Sequence, residues 1–284
     1  FRGGVWALFA PSDPAFYRDA VVLGALDTAL TRMRDGGFLV EGGSEFFTLF
    51  PGQSTRLGAQ VVNFGALPRT GLRVSVDAVP ANPPDTKAEH RSLWHHEQSV
   101  DLAPGEEQRI EREWSPATPA TIRVTLGDQG RLLDHLEHEL HLWEQPPAPQ
   151  FIEVHEGRLW RDRRPWRAHG VNYMPSSGIG VTSAHFEYWL GRGAYDPEVI
   201  DRDLGRIHDL GLNAVSVFVY HRDLEAHHLL DFLRRCRHHG LAVNLSLRPG
   251  TPLDFRWSEM KALIEHYRLA ANDVVFAYDL AWEP

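Results

Sequence analysis

One cysteine, Cys236, stands among 284 residues, so no internal disulfide can form. That usage fits a reducing compartment, where thiols stay free. No stretch of about 18 consecutive apolar residues occurs, and no membrane span is expected. Positive charge is in deficit, with 29 Lys and Arg against 38 Asp and Glu and a formal net charge of −9. Such a chain presents no basic field to nucleic acid or to an anionic membrane, while neutral substrates remain open to it. Neither a Walker loop nor a Gly-x-Gly-x-x-Gly turn is present, so nucleotide binding has no support and no cofactor is expected. No signal peptide is visible, and the opening FRGGVWALFA has no Met, as in a piece cut from a longer polypeptide. No compartment is assigned.

Apolar residues make up 43% and charged residues 24%, a profile that buries a real core. The length suits two domains of ordinary size, and the patterning changes character twice. In residues 1–50, VWALFA reads as a strand. A helix follows with Val22, Leu26, Ala29, Leu30 and Met33 at 3–4 spacing, and then FLV as a second strand. This region reads as the tail of an α/β domain. GSEFF at 43–47 reads as a structural Gly-rich turn. Residues 51–146 alternate in short runs broken by Pro, Gly and Asn, the pattern of a β-sandwich. The Pro-rich QPPAPQ at 145–150 marks a boundary.

Residues 151–284 pair FIEVH with GRLW as a hairpin around Glu156 and Gly157, then alternate strand and helix. Asp196 reads as a helix N-cap followed by Pro197 and Glu198, with Ile200, Leu204, Ile207 and Leu210 on one face. A helix near 224–240 closes at Gly240, and a third carries Met260, Leu263, Ile264 and Tyr267. Strand starts near 213, 242 and 274 recur at about 30 residues, the length of a βα unit. The strands read as apolar on both faces, as in a parallel sheet. Repeated βα units allow a (β/α)8 barrel or a doubly wound sheet, and the hairpin in front favours the barrel. A full barrel takes about 250 residues, and this region supplies four strands.

The stretch VDLAPGEEQRIEREW resembles the turn of immunoglobulin-like modules beside bacterial glycosidase domains, although the two immunoglobulin cysteines are missing. The hairpin FIEVHEGRLWRDRRPWRAHGVNY, the unit DLGRIHDLGLNAVSVF and the terminal YDLAWEP resemble the first half of a clan A glycoside hydrolase, near the family 5 cellulase and mannanase type. The resemblance implies a multidomain chain with an α/β remnant at 1–50, an immunoglobulin-like β-sandwich at 51–146 and a truncated (β/α)8 TIM barrel at 151–284. Strand four of that clan ends in Asn-Glu-Pro, and its Glu is the general acid/base. The position carries over to Glu283.

Active sites of such barrels collect at the C-terminal strand ends. The residues there are Asn172 and Tyr173, Phe218 and Tyr220, Ser246 and Arg248, then Asp279, Trp282 and Glu283. Aromatic rings beside hydrogen-bonding groups suit an oligosaccharide or polysaccharide substrate. Asn172, Tyr173, Tyr220, Arg248, Asp279 and Trp282 are therefore taken as substrate-binding. The implied mechanism is retaining, with two carboxyls about 5–5.5 Å apart. Glu283 would protonate the leaving oxygen, and a Glu on strand seven, absent from this sequence, would attack the anomeric carbon. A hydrolase built this way is inactive as the 284-residue piece. Two positions depart from the family pattern: Trp282 replaces the Asn before the Glu, and Ser216 replaces an Arg common on strand two. They also fit a barrel that binds or scaffolds carbohydrate without catalysis.

Sixteen histidines invite a metal reading. The pairs His95-His96, His227-His228 and His238-His239 are adjacent, and adjacent helix residues do not share a face. His135, Glu137, Glu139 and His141 alternate along one strand, which fits the wet side of a sheet as well as a chelating row. No metal site is assigned.

Overall fold

The computed structural model describes residues 11–81, 92–175, 188–220, 224–248 and 257–279. The chain divides into two compact units: Phe1–Phe47 with Pro51–Leu142, and Thr48–Phe50 with Trp143–Pro284.

In the first unit, helix α1 (Ala20–Asp35) starts at Asp19, whose side chain accepts from the Val21 N–H, and ends at Gly36 in the left-handed region. No α1 residue is buried, despite its apolar spacing. Ion pairs fasten its last turns instead, Arg32 to Asp134 at 2.6 Å and Asp35 to Arg131 at 2.9 Å. Strand β1 (Gly37–Ser44) pairs antiparallel with β3 (Thr55–Asn63), whereas the sequence placed FLV in an α/β tail. The short β2 (Thr48–Leu49) between them falls in the second unit. A Cβ at Gly42 would sit 3.2 Å from Leu136 and Val124, so the missing side chain lets the facing sheet come close. Glu45 of the GSEFF turn accepts from Arg56 Nε at 2.9 Å, a structural contact.

The remaining strands are β4 (Arg69–Pro80), β5 (Trp94–Leu102), β6 (Glu107–Trp114), β7 (Ala120–Asp128) and β8 (Arg131–Leu142). One sheet runs β1-β3-β6, and the other carries β8-β7-β4-β5. Alternation buries Leu57, Val61, Leu72, Val74, Val76, Ile122, Val124 and Leu126 between them. The β5–β6 connection crosses from one sheet to the other, since β5 pairs with β4 and β6 with β3. Asn63 is fully buried at this crossing. Its N–H donates to the Glu106 carbonyl (3.0 Å) and its own carbonyl accepts from the Gly105 N–H (2.7 Å). Its Nδ2 donates to Leu67 and Leu102 carbonyls (2.8 and 3.1 Å), and its Oδ1 accepts from the Gly65 N–H (2.9 Å).

The second unit opens with a small antiparallel sheet, β9 (Ile152–His155), β10 (Arg158–Arg161) and β11 (Arg164–Pro165), in order β11-β10-β9. Glu156 and Gly157, both at positive φ, turn the first hairpin. A βα succession follows: β12 (Gly170–Asn172), α2 (Pro197–Asp209), β13 (Ala214–Tyr220), α3 (Ala226–His238), β14 (Ala242–Arg248), α4 (Trp257–His266) and β15 (Val275–Asp279). The four strands form one parallel sheet in sequential order. A closed (β/α)8 barrel has twice that number.

Asp196 caps α2 through the N–H groups of Glu198 and Val199. Ile200 and Leu204 are fully buried, Ile207 is partly so, and Leu210, expected on the same face, is 77% exposed because it lies past the helix end. Val215, Val217, Val219, Val243, Leu245 and Leu247 bury one face of the sheet against Leu229, Phe232 and Leu233 of α3 and Met260 and Leu263 of α4.

Candidate functional site

The parallel sheet has two unlike faces, whereas the sequence reading made both apolar. Side chains alternate along each strand, so the residues between the buried valines and leucines point away from the helices. On β13 these are Ala214, Ser216, Phe218 and Tyr220, and on β14 Ala242, Asn244 and Ser246. Parallel register stacks them in rows. Asn172 stands beside Ser216 and Ser216 beside Asn244, while Phe218 stands beside Ser246 and Ser246 beside Asp279. Tyr220 stands beside Arg248 in the row nearest the C-terminal ends.

Two hydrogen bonds tie neighbours in these rows. Asn244 Nδ2 donates to Ser216 Oγ at 3.0 Å, and Ser246 Oγ donates to Asp279 Oδ2 at 3.0 Å. Ser246 is buried and Asp279 half-buried. Small residues leave room in front: Gly170, Asn172, Ala214, Ser216, Asn244 and Ala277 line a cavity of about 520 Å³. Gly170 is required there, because a Cβ would stand 2.2 Å from the Ala214 carbonyl oxygen.

The candidates named from sequence fall on different faces of the sheet. By register Asn172, Tyr220 and Asp279 share one face of the sheet, on three different strands, and Asn172 lines the cavity. Arg248 holds the matching register position at the end of β14. Tyr173 is on the other face, and its expected place among the substrate contacts gives way to a place in the core. It is 8% exposed and stacks on Phe232 with centroids 6.2 Å apart. Burial, then the Asp203 carboxylate that accepts from its hydroxyl at 3.4 Å, push its pKa far above the ordinary tyrosine value. One step along a strand reverses the side-chain direction, and Tyr173 is one step past Asn172. Trp282 and Glu283 lie outside the described residues.

Ser216 and Asn244 complete the row; the sequence marks Ser216 only as a departure from the family's Arg, and it does not mark Asn244. The signal was present as the alternation in AVSVFVY and AVNLSLR, where every second residue is small, polar or aromatic. Trp189 packs, as its type suggests: it is buried against Phe232 and donates to the Phe218 carbonyl at 2.9 Å.

Behind the sheet, Asp231 on α3 is fully buried. Burial alone would raise its pKa, but Arg235 and Arg234 outweigh it, and the carboxyl stays below its ordinary value. It accepts from Arg235 Nε (2.7 Å), Arg234 Nε (3.1 Å), the Tyr195 hydroxyl (2.7 Å) and Thr48 Oγ1 of β2 (2.8 Å). Tyr195 in turn stacks on His228 at 4.5 Å. These groups face the helices and play no part in the cavity. Among the described residues, no group of three or more His, Cys, Asp or Glu side chains is placed to hold a metal ion.

No family model matches the chain, and no curated protein matches it. Solved structures do, remotely. A β-glucuronidase from glycoside hydrolase family 2 aligns with 86% of this chain and 24% of its own, at 14% identity and a TM-score of 0.32. The β-glucuronidase of Bacteroides uniformis aligns with 87% of this chain and 27% of its own, at 16% identity and a TM-score of 0.32. The exo-β-D-glucosaminidase CsxA aligns with 86% of this chain and 28% of its own, at 12% identity and a TM-score of 0.35. The chain thus spans about a quarter of the length of each.

Proposed function

We propose that the protein to which this chain belongs is a retaining glycoside hydrolase acting on β-linked saccharides, with Glu283 as general acid/base. On this reading β12 to β15 are the first four strands of a (β/α)8 barrel, and the first unit is an immunoglobulin-like module. The observation that carries it is Asp279, fixed by Ser246 at the C-terminal end of a parallel sheet, on the face turned away from the helices, four residues before Glu283 in the YDLAWEP motif. Asn172 and Tyr220 on the same face would supply an amide and an aromatic hydroxyl to sugar hydroxyls.

The acid must hold its proton at working pH, although a free Glu has a pKa of about 4.3. A dry cleft and a neighbouring carboxylate raise it. Proton donation to the leaving oxygen then matters most when that oxygen leaves poorly. In the enzyme that completes the barrel, Glu283→Gln is expected to slow natural saccharides by about 100-fold or more and aryl glycosides with good leaving groups far less. Equal losses for both substrate types would remove Glu283 from the role. The 284-residue chain by itself is expected to show no turnover, and clear hydrolysis by it would refute the half-barrel reading.

Ser216 favours a second reading, a barrel that binds saccharide without cleaving it. The family pattern has an Arg there, and here a neutral hydroxyl is engaged by Asn244. Saccharide binding with no product from the enzyme that completes the barrel would support that reading.

A further inference from the structure

The small sheet β9-β10-β11 borders a second cavity, of about 590 Å³. In its register Trp160 stands opposite Glu153 and Pro165, and Arg158 opposite His155. Side chains alternate, so Glu153, His155 and Trp160 project from one face, and all three line the cavity with Phe151, Asp162 and Arg163. Asp162 and Arg163 form the tight turn into β11, at φ 49° and 59°. Such turns ordinarily use Asn-Gly or Asp-Gly, and an Arg held at positive φ is a backbone cost seen often where side chains must be aimed.

The indole is oriented before any ligand arrives. Trp160 Nε1 donates to the His155 carbonyl at 3.3 Å, and the His155 ring meets it edge-on with centroids 6.3 Å apart. The Gln150 N–H donates to Asp273 Oδ2 at 2.7 Å, which ties the start of this sheet to the turn before β15. Asp279 lies at the far end of β15, about 13 Å of strand beyond Val275 at ~3.3 Å per residue. The cavity is therefore separate from the strand-end site and does not rest on the hydrolase reading.

We propose that this cavity binds a neutral pyranose, stacked on Trp160 and hydrogen-bonded through Glu153 and Asp162. The C–H face of a pyranose matches a flat indole, with Phe151 as further apolar wall. Carboxylates accept from pairs of ring hydroxyls, and Arg163 donates to hydroxyl or ring oxygens. Two carboxylates against one guanidinium leave the lining negative, which disfavours uronic acids. The volume suits one or two sugar rings, within the ordinary range for small-molecule pockets.

The test titrates the 284-residue chain with methyl β-glucoside, methyl α-mannoside and cellobiose, followed by saturation-transfer NMR and tryptophan fluorescence. Glucuronic acid and glucosamine serve as charged comparisons. Saturable binding of at least one neutral sugar is expected, abolished by Trp160→Ala and weakened about tenfold by Glu153→Gln or Asp162→Asn. The two isosteric variants keep the question answerable if Trp160→Ala fails to fold, with circular dichroism as the check. Three results would overturn the proposal: no neutral sugar binding, binding unchanged in the folded variants, or binding confined to glucosamine. Binding lost in Asp279→Asn but kept in Trp160→Ala would also overturn it, by moving the sugar to the strand ends.

Discussion

At the scale of single residues, two buried polar side chains do more than their neighbours. Asn63 satisfies both backbone and side-chain partners where the chain crosses between the sheets of the first unit. Asn63→Ala leaves the Leu102 and Leu67 carbonyls without that donor, and each buried unsatisfied group costs about 1–3 kcal/mol. A urea midpoint lowered accordingly, with the Leu side-chain variant at the same position no better, is the expected result. Asp231 is the counterpart in the second unit. Asp231→Ala strands Arg234 and Arg235 beside a buried gap and is expected to cost about 3–5 kcal/mol, measured by denaturant unfolding followed on tryptophan fluorescence. Neither role was legible in sequence. An Asn in VVNFG looks like a turn residue, and an Asp inside LLDFLRRC looks like a helix-surface charge, because burial and partners come from distant elements.

At the scale of elements, helices were the most legible part. Asp196-Pro197-Glu198 is a start signal made of local chemistry, and the cap hydrogen bonds to Glu198 and Val199 follow from it. The hairpin at Glu156-Gly157 was legible for the same reason. Strand partners were not. FLVEGGS reads equally as a strand of an α/β unit, whereas its backbone pairs antiparallel with β3, and Gly42 leaves room for Val124 and Leu136 of the opposing sheet. The cavity face of the parallel sheet was half legible, through alternation, but which parity faces the helices needs the fold. Strand β12 is the weak element: three residues, exposed on both sides, held to β13 by close backbone approach at Gly170. Gly170→Val would force that contact apart. A loss of about 1–3 kcal/mol, typical of overpacking, together with faster amide exchange at Asn172 and Tyr173, is expected. Unchanged exchange there would show that the strand tolerates the side chain.

At the scale of the whole molecule, stability should respond to pH in two ranges. Burial in the second unit lowers the His228 pKa below its ordinary 6.5. The unfolded chain therefore binds this proton first, and its contribution is complete above about pH 6.5 and lost as pH falls toward the folded value. Asp35, Asp201 and Asp231 are all held below the usual 3.8. Their contribution is complete above about pH 4 and lost as pH drops through their folded values. Urea midpoints measured from pH 7.5 to 2.5 should fall first below pH 6.5 and again below about 4. His228→Gln is expected to flatten the first decline and leave the second. A single acid transition in both proteins would contradict the assignment.

The sequence by itself determined what local chemistry determines: helix starts and stops, the tight turn at Gly157, the alternation of buried strands, and the lack of charge or motif for nucleic acid and nucleotides. It also placed polar groups at the strand ends, because a βα repeat puts each strand terminus at a known point in the pattern. Tertiary structure alone decided which strands pair, which parity of each parallel strand meets the cavity, and which polar side chains are buried. Tyr173 and Asn172 are neighbours in sequence, yet one stacks in the core and the other borders the cavity. The strand reverses direction at every residue, and only the helices packed on one side give those two directions different surroundings.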